Sequence, residues 1–195
     1  MNHLMVDLIN VNEKPSSPLC AIEAVFFEPS TGQIGKSFYF PINIRKATDL
    51  IGVDTAFEWM KKDSHWRAEL MSATETEGAV LYDLTDFIAD NIEPHYTSLF
   101  VWFKDTPEKL VSLRYAVERR SSPRNILGCN ETAGVFPDGT KFRCIRSLLD
   151  LAAATGYAPH ARKALARYTL TDAIYQAEQV CEIWQRLTTP HLESL

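Results

Sequence analysis

LMVDLINVNEKPSSPLCAIEAVFF, residues 4–27, sets the frame for the whole chain. It opens on a short apolar run carrying a single acid, Asp7, too short for a helix of ordinary length and suited to a buried strand. The connection NVNEKPSSP (10–18) is rich in turn formers, and Pro15 and Pro18 punctuate it. A second apolar stretch, LCAIEAVFFEP (19–29), follows. Working outward, STGQIG (30–35) reads as a hairpin turn and KSFYFPINI (36–44) as a strand with alternating bulky side chains. Residues 1–44 are therefore expected to form a three-stranded meander.

Beyond it the periodicity becomes helical. From Asp54, a candidate N-cap, to about Met71, the residues Ala56, Trp59, Met60, Trp66 and Leu70 supply an apolar stripe. Residues 79–92 predict a second amphipathic helix, SLFVWF (98–103) a buried strand, and TPEKLVSLRYAVERR (106–120) a third helix with Pro107 just inside its start. The stretch 121–139 reads as loop. Two further helices are expected over 143–155 and 169–187. Strands followed by helices alternating with at least one further strand describe an α/β fold, a mixed sheet flanked by helices.

The chain has 195 residues, 46% of them hydrophobic, enough for one sizeable core. No apolar run approaches the roughly 18 residues of a membrane span, and the start MNHLMVDLIN lacks a basic leader pattern, so a cytoplasmic location without membrane contact is expected. Cys20, Cys129, Cys144 and Cys181 are widely spaced, with no C-x-x-C pair or zinc-type histidine spacing, and read as reduced thiols. Charge is unevenly spread: residues 1–100 hold 7 Lys/Arg against 15 Asp/Glu, and residues 101–195 hold 13 against 10. Lys109, Arg114, Arg119, Arg120, Arg124, Lys141, Arg143 and Arg146 cluster in the second half. Such a cluster suits phosphates, and equally suits a solvated basic face balancing an acidic one. Arg119 and Arg120 also end a helix, where cations complement the dipole.

The order VDLIN, CAIEAVFF, EPSTGQIG resembles the opening of the DEDDh 3'-5' exonuclease superfamily, specifically its RNase T-like, phage-type exoribonuclease branch. That branch begins with a strand reading D-x-E-T, then A-x-I-x-x-I-G-A-V-F-F and a D/P-x-T-G-x-x-G turn. TAFEWMKKDSHWRAEL (55–70), LFVWF (99–103), KLVSLRYAVERRSSP (109–123) and ARYTLTDAIYQAEQVCEIWQRL (166–187) are similar to later segments of the same branch. The resemblance covers nearly the whole chain. It implies a ribonuclease H-like mixed sheet with three antiparallel N-terminal strands, in one domain over residues 1–190 with 191–195 as a tail.

What it implies about chemistry is mixed. Members hold two Mg²⁺ or Mn²⁺ with four carboxylates and use a His five residues before the last one as general base. Asp7 matches the first acid and Asp172 the last. The first-strand Glu position, which would share a face with Asp7, is Ile9; the third acid falls near Lys109; and the base position is Arg167, which cannot accept a proton. The resemblance thus implies a catalytically degenerate exonuclease-like protein, phage or prophage encoded. Its cofactor would be none. Its partners would be nucleic acid or a nucleic-acid-processing protein complex, with a homodimer as a further option, and Lys109, Arg114, Arg119, Arg120, Arg143, Arg146 and Arg167 are the candidate contacts. The alternative is an active Mg- or Mn-dependent 3'-5' exonuclease whose ligands have moved, with Asp105, Glu108, Glu23 or His160 as replacements. For Glu23 the plainer reading is an outward residue on an alternating strand.

Overall fold

The computed structural model describes residues 1–45, 56–57, 60–61, 64–93, 98–120, 134–160 and 171–188. β1 (His3–Asn10), β2 (Leu19–Glu28) and β3 (Gln33–Pro41) form the expected antiparallel meander. β2 and β3 join through a tight turn in which Gly32, at φ +76°, donates its N–H to Glu28 O, a left-handed position that glycine occupies without strain. β4 (Phe100–Phe103) pairs with β1 and β5 (Lys141–Cys144) pairs with β4, both parallel. The sheet order is β3-β2-β1-β4-β5. This is the ribonuclease H-like mixed α/β arrangement that the sequence predicts.

Helices cover both faces. α1 (Ser64–Ser72), α2 (Glu77–Asn91) and α3 (Thr106–Arg120) precede α4 (Ile145–Ala153) and α5 (Thr171–Thr188). Alternation along β1 sends Leu4, Val6 and Leu8 into one core with Leu81, Leu84 and Ile88 of α2 and Leu113, Ala116 and Val117 of α3. Met5 points the other way, joining Val25, Phe27 and Trp102 beneath Ala173, Ala177 and Val180 of α5 and Ile145 of α4. Because β1 and β2 are buried on both sides, they read as near-continuous apolar runs instead of alternating ones. A third cluster joins Val11, Cys20 and Ile44 to Trp66 and Leu70 of α1.

Two expectations are corrected. Residue 143 lies in a strand, not a helix: Lys141–Cys144 pair with β4, and α4 starts only at Ile145. Four residues with two cations among them carry too little periodicity to announce a strand. Met60, placed on the apolar stripe, is exposed, while Trp66 and Leu70 are buried. The proposed cap Asp54 and Trp59 lie outside the described residues.

Candidate active centre

Asp7 stands near the C-terminal end of β1 on the face turned toward α5. Its carboxylate is 16% exposed, and Lys109, in the first turn of α3, brings Nζ to 3.8 Å from Oδ1 while donating a 2.6 Å hydrogen bond to Leu8 O. Burial pushes the Asp7 carboxyl up, Lys109 pulls it down, Asp172 raises it, and Lys104 and a backbone hydrogen bond at Leu8 lower it; burial prevails and the group sits above the usual carboxylate range. Asp172 lies in the first turn of α5.

Glu23 faces Asp7 directly across the β1–β2 pair. It is 3% exposed and its Oε2 accepts the N–H of Ala173, 3.2 Å away, at the start of α5. The outward reading of Glu23 is therefore corrected: the side chain lies inside, on the Asp7 face, where it receives a free amide of the helix terminus. A signal for this was present in the sequence, since Glu23 is the one charged residue inside the otherwise apolar LCAIEAVFF, and an acid at such a position is buried with a partner or not tolerated. Tyr39 pairs opposite Glu23 on β3. Its hydroxyl reaches Glu69 at 3.4 Å and is pushed up by burial, then by Glu69 and Glu23. Cys20, next to this row, is pushed up to about 12 by burial and is inert as a thiolate source.

The other residues singled out from the sequence fall as follows. Ile9 packs against the cluster of Val11, Cys20, Ile44, Trp66 and Leu70. Asp105 accepts a 2.7 Å bond from Arg146, and Glu108 is exposed. His160 pairs with Glu182 at 2.7 Å and lies 3.6 Å from Glu178, six to ten residues down α5 from Asp172, which is ~9–15 Å along the helix. Arg167 and Arg124 lie outside the described residues.

Several cations of the basic cluster have partners within the protein. Arg119 forms a fork on Glu77, with Nε and Nη2 each 2.7 Å from a carboxylate oxygen, and donates to Ser16 O and Ser17 O. Arg114 pairs with Glu118 at 3.2 Å, and Arg120 lies over the Tyr82 ring at 4.4 Å. Arg143 lies over Phe100 and Trp102.

Two-metal hydrolysis needs several hard oxygen donors converging on each ion. Among the described residues, no group of three or more His, Cys, Asp and Glu is placed to hold one. Beside Asp7 stands instead the Lys109 ammonium, 3.8 Å from its carboxylate. The donors among the described residues do not fit a two-metal centre.

The sheet order and the placing of Asp7 in the second half of its first strand define a class, the 3'-exonuclease-like ribonuclease H fold. Two solved 3'-exonuclease structures share it. One, described as showing 3'-end specific recognition of histone mRNA stem-loop by 3'-exonuclease, superposes with a TM-score of 0.56; the other, a full-length 3'-exonuclease, with 0.54. Each is 11% identical, and each match covers 95% of this chain and 80% of the exonuclease chain. No curated protein sequence matches the chain. Residues 2–184 match the 3'-5' exoribonuclease Rv2179c-like domain, and the chain belongs to that family.

Proposed function

We propose that this chain is an exonuclease-like domain that acts by binding nucleic acid, or a protein complex that processes it, without hydrolysing it through metal ions. The observation that carries this reading is Lys109, whose ammonium stands beside Asp7 and is anchored on Leu8 O, supplying in covalent form the positive charge that a cation would otherwise bring. Ile9 in place of a second first-strand acid supports it. The phage-type branch resemblance makes a phage or prophage genome the expected source, and residues 1–190 the functional unit.

The test is incubation of the purified chain with 3'-labelled single-stranded RNA and DNA in Mg²⁺ or Mn²⁺, beside Asp7→Ala and a chelator control. The expected result is no shortening of either strand. Shortening that both controls abolish sinks the proposal.

A second reading has one observation in its favour. Glu23 stands opposite Asp7 on the same face, at a position where the branch pattern has Gly, while Ile9 stands where it has Glu. An acid moved from one strand to its neighbour would support an active Mg- or Mn-dependent exonuclease with displaced ligands. In that case Glu23→Gln abolishes the shortening as fully as Asp7→Ala does.

A further inference from the structure

Among the cations of the second half, Lys109, Arg114, Arg119 and Arg146 each have a carboxylate partner. Lys141 and Arg143 make no ion pair among the described residues, and both are exposed. They occupy alternate positions of β5, the outermost strand on its side of the sheet, so their side chains share a face and stand about 6.6 Å apart. That spacing is comparable to the distance between successive phosphates on an extended single strand.

The aromatic residues beneath them hold this pair in place. Lys141 Nζ lies 5.4 Å from the centre of the Phe100 ring, and the Arg143 guanidinium lies 4.8 Å from Phe100 and 5.8 Å from Trp102. On its other flank Phe100 stacks with His3 at 4.9 Å, and His3 accepts the Trp102 indole N–H at 3.1 Å, so the ring platform is itself fixed. A guanidinium resting on a ring keeps its donor edge and one planar face toward solvent, and little side-chain entropy remains to be lost when it meets a ligand.

From this geometry we infer that the β5 edge, through Lys141 and Arg143 over Phe100, is a binding strip for single-stranded nucleic acid, with Lys141 meeting phosphate and Arg143 meeting phosphate or the face of a base. The inference rests on the nucleic-acid reading above and locates a contact surface two strands away from Asp7: Arg143 stands level with Trp102 and Met5, two residues before Asp7 on β1, and Lys141 level with Phe100 and His3, four before it, offsets of ~7 and ~13 Å along the strand.

The test is fluorescence anisotropy of the full chain with labelled mixed-sequence single-stranded RNA and DNA across a salt series. The variants are K141A/R143A together, Arg143→Lys alone, Lys36→Ala on the opposite edge strand β3 as control, and Lys109→Ala at the centre; a thermal melt of each verifies folding. Expected are a loss of about 10-fold or more for the double variant and a flattening of the log K against log salt slope by about 1.4, the increment for two phosphate contacts on a single strand. Arg143→Lys should lose part of the affinity at nearly unchanged slope, because charge stays and the plane goes. A double variant that binds like the parent overturns the strip, and if Lys109→Ala then weakens binding the nucleic-acid reading itself survives. A parent chain that binds no oligonucleotide overturns both and turns the search to a protein partner.

Discussion

Lys109 answers a question that Asp7 poses. A carboxylate turned toward the interior and held above its usual pKa by burial needs a nearby positive charge to remain ionised, and the ammonium 3.8 Å away is the largest opposing influence. Replacing Lys109 with Met removes that charge and leaves Leu8 O without its donor. The expected cost is about 2 kcal/mol at pH 7, below the roughly 3–5 kcal/mol of a fully buried pair because both groups keep some exposure. The sign with pH follows. Without Lys109 the Asp7 carboxyl rises further, so the folded variant takes up a proton that the unfolded chain gives away until lower pH; its deficit is largest at neutral and higher pH and shrinks on acidification. Urea unfolding of parent and variant at pH 7 and pH 5 measures it, and a deficit that grows toward pH 5 contradicts the assignment. Glu23 is a different case at the same scale. It is the residue that sequence reasoning placed on the wrong side, because alternation along β2 fails as a guide when both faces are buried, and only the register opposite Asp7 settles its direction.

At the level of elements, three pieces meet at Arg119. Its fork on Glu77 and its bonds to Ser16 O and Ser17 O tie the end of α3 to the start of α2 and to the β1–β2 connection, and Glu77 in turn accepts the N–H of Leu19. Arg119→Lys keeps the charge but loses the planar fork. A loss of about 1–3 kcal/mol in urea unfolding is expected, whereas Arg114→Lys, on an exposed pair within one helix, should stay within about 0.5 kcal/mol. From the sequence Arg119 was legible only as a cation suited to a helix end, since its partners are 42 and about 103 residues away. Elements with local punctuation fared better: the hairpin around Gly32 and the bounds of α3 beside Thr106 and Pro107 follow from turn and capping chemistry. β5 did not, because a four-residue parallel strand exists only through its neighbour β4.

His3 carries an element-level prediction of its own, for it links β1 to β4. Burial holds it neutral, with its pKa lowered to about 4 from 6.5, and Nδ1 accepts from Trp102. A depressed folded-state value means that the unfolded chain binds the proton more readily. The contribution is fully present above pH 6.5 and is lost as pH falls toward 4, by up to about 3 kcal/mol. His3→Gln keeps an acceptor but does not titrate, so the difference in unfolding free energy between parent and variant should narrow or reverse across that window. A difference independent of pH would show that His3 is not buried as a neutral ring.

For the molecule as a whole, family membership and the proposed metal-free centre point in different directions. The chain belongs to a 3'-5' exoribonuclease-like family, the exonuclease resemblance implies metal-dependent hydrolysis, and the opening residues made that fold legible in the sequence. At the centre the sequence singled out Asp7 and Lys109, which the structure brings within 3.8 Å of each other, whereas the row Tyr39, Glu23, Asp7 depends on strand register across 32 residues of chain and on no local motif. Fold alone does not decide between a working and an altered centre, but binding linkage does. A site with a Kd near 1 mM for Mg²⁺ would, at 5 mM, stabilise the folded chain by about 1 kcal/mol, a rise in Tm of about 2–4 °C for a protein of this size. With an ammonium already beside Asp7 the expected rise is zero within error for both Mg²⁺ and Mn²⁺. Lys109→Ala separates two ways of obtaining that result. If Lys109 alone excludes the ion, the variant should regain a metal-dependent rise; if the shortage of converging donors excludes it, the variant should remain insensitive. The donor geometry favours the second outcome, since removing the ammonium adds no oxygen to Asp7 and its two acidic neighbours, Glu23 and Asp172. A rise in the parent chain itself would mean that Glu23 and Asp172 converge with Asp7 on a cation in solution, and would favour the displaced-ligand exonuclease over the metal-free domain.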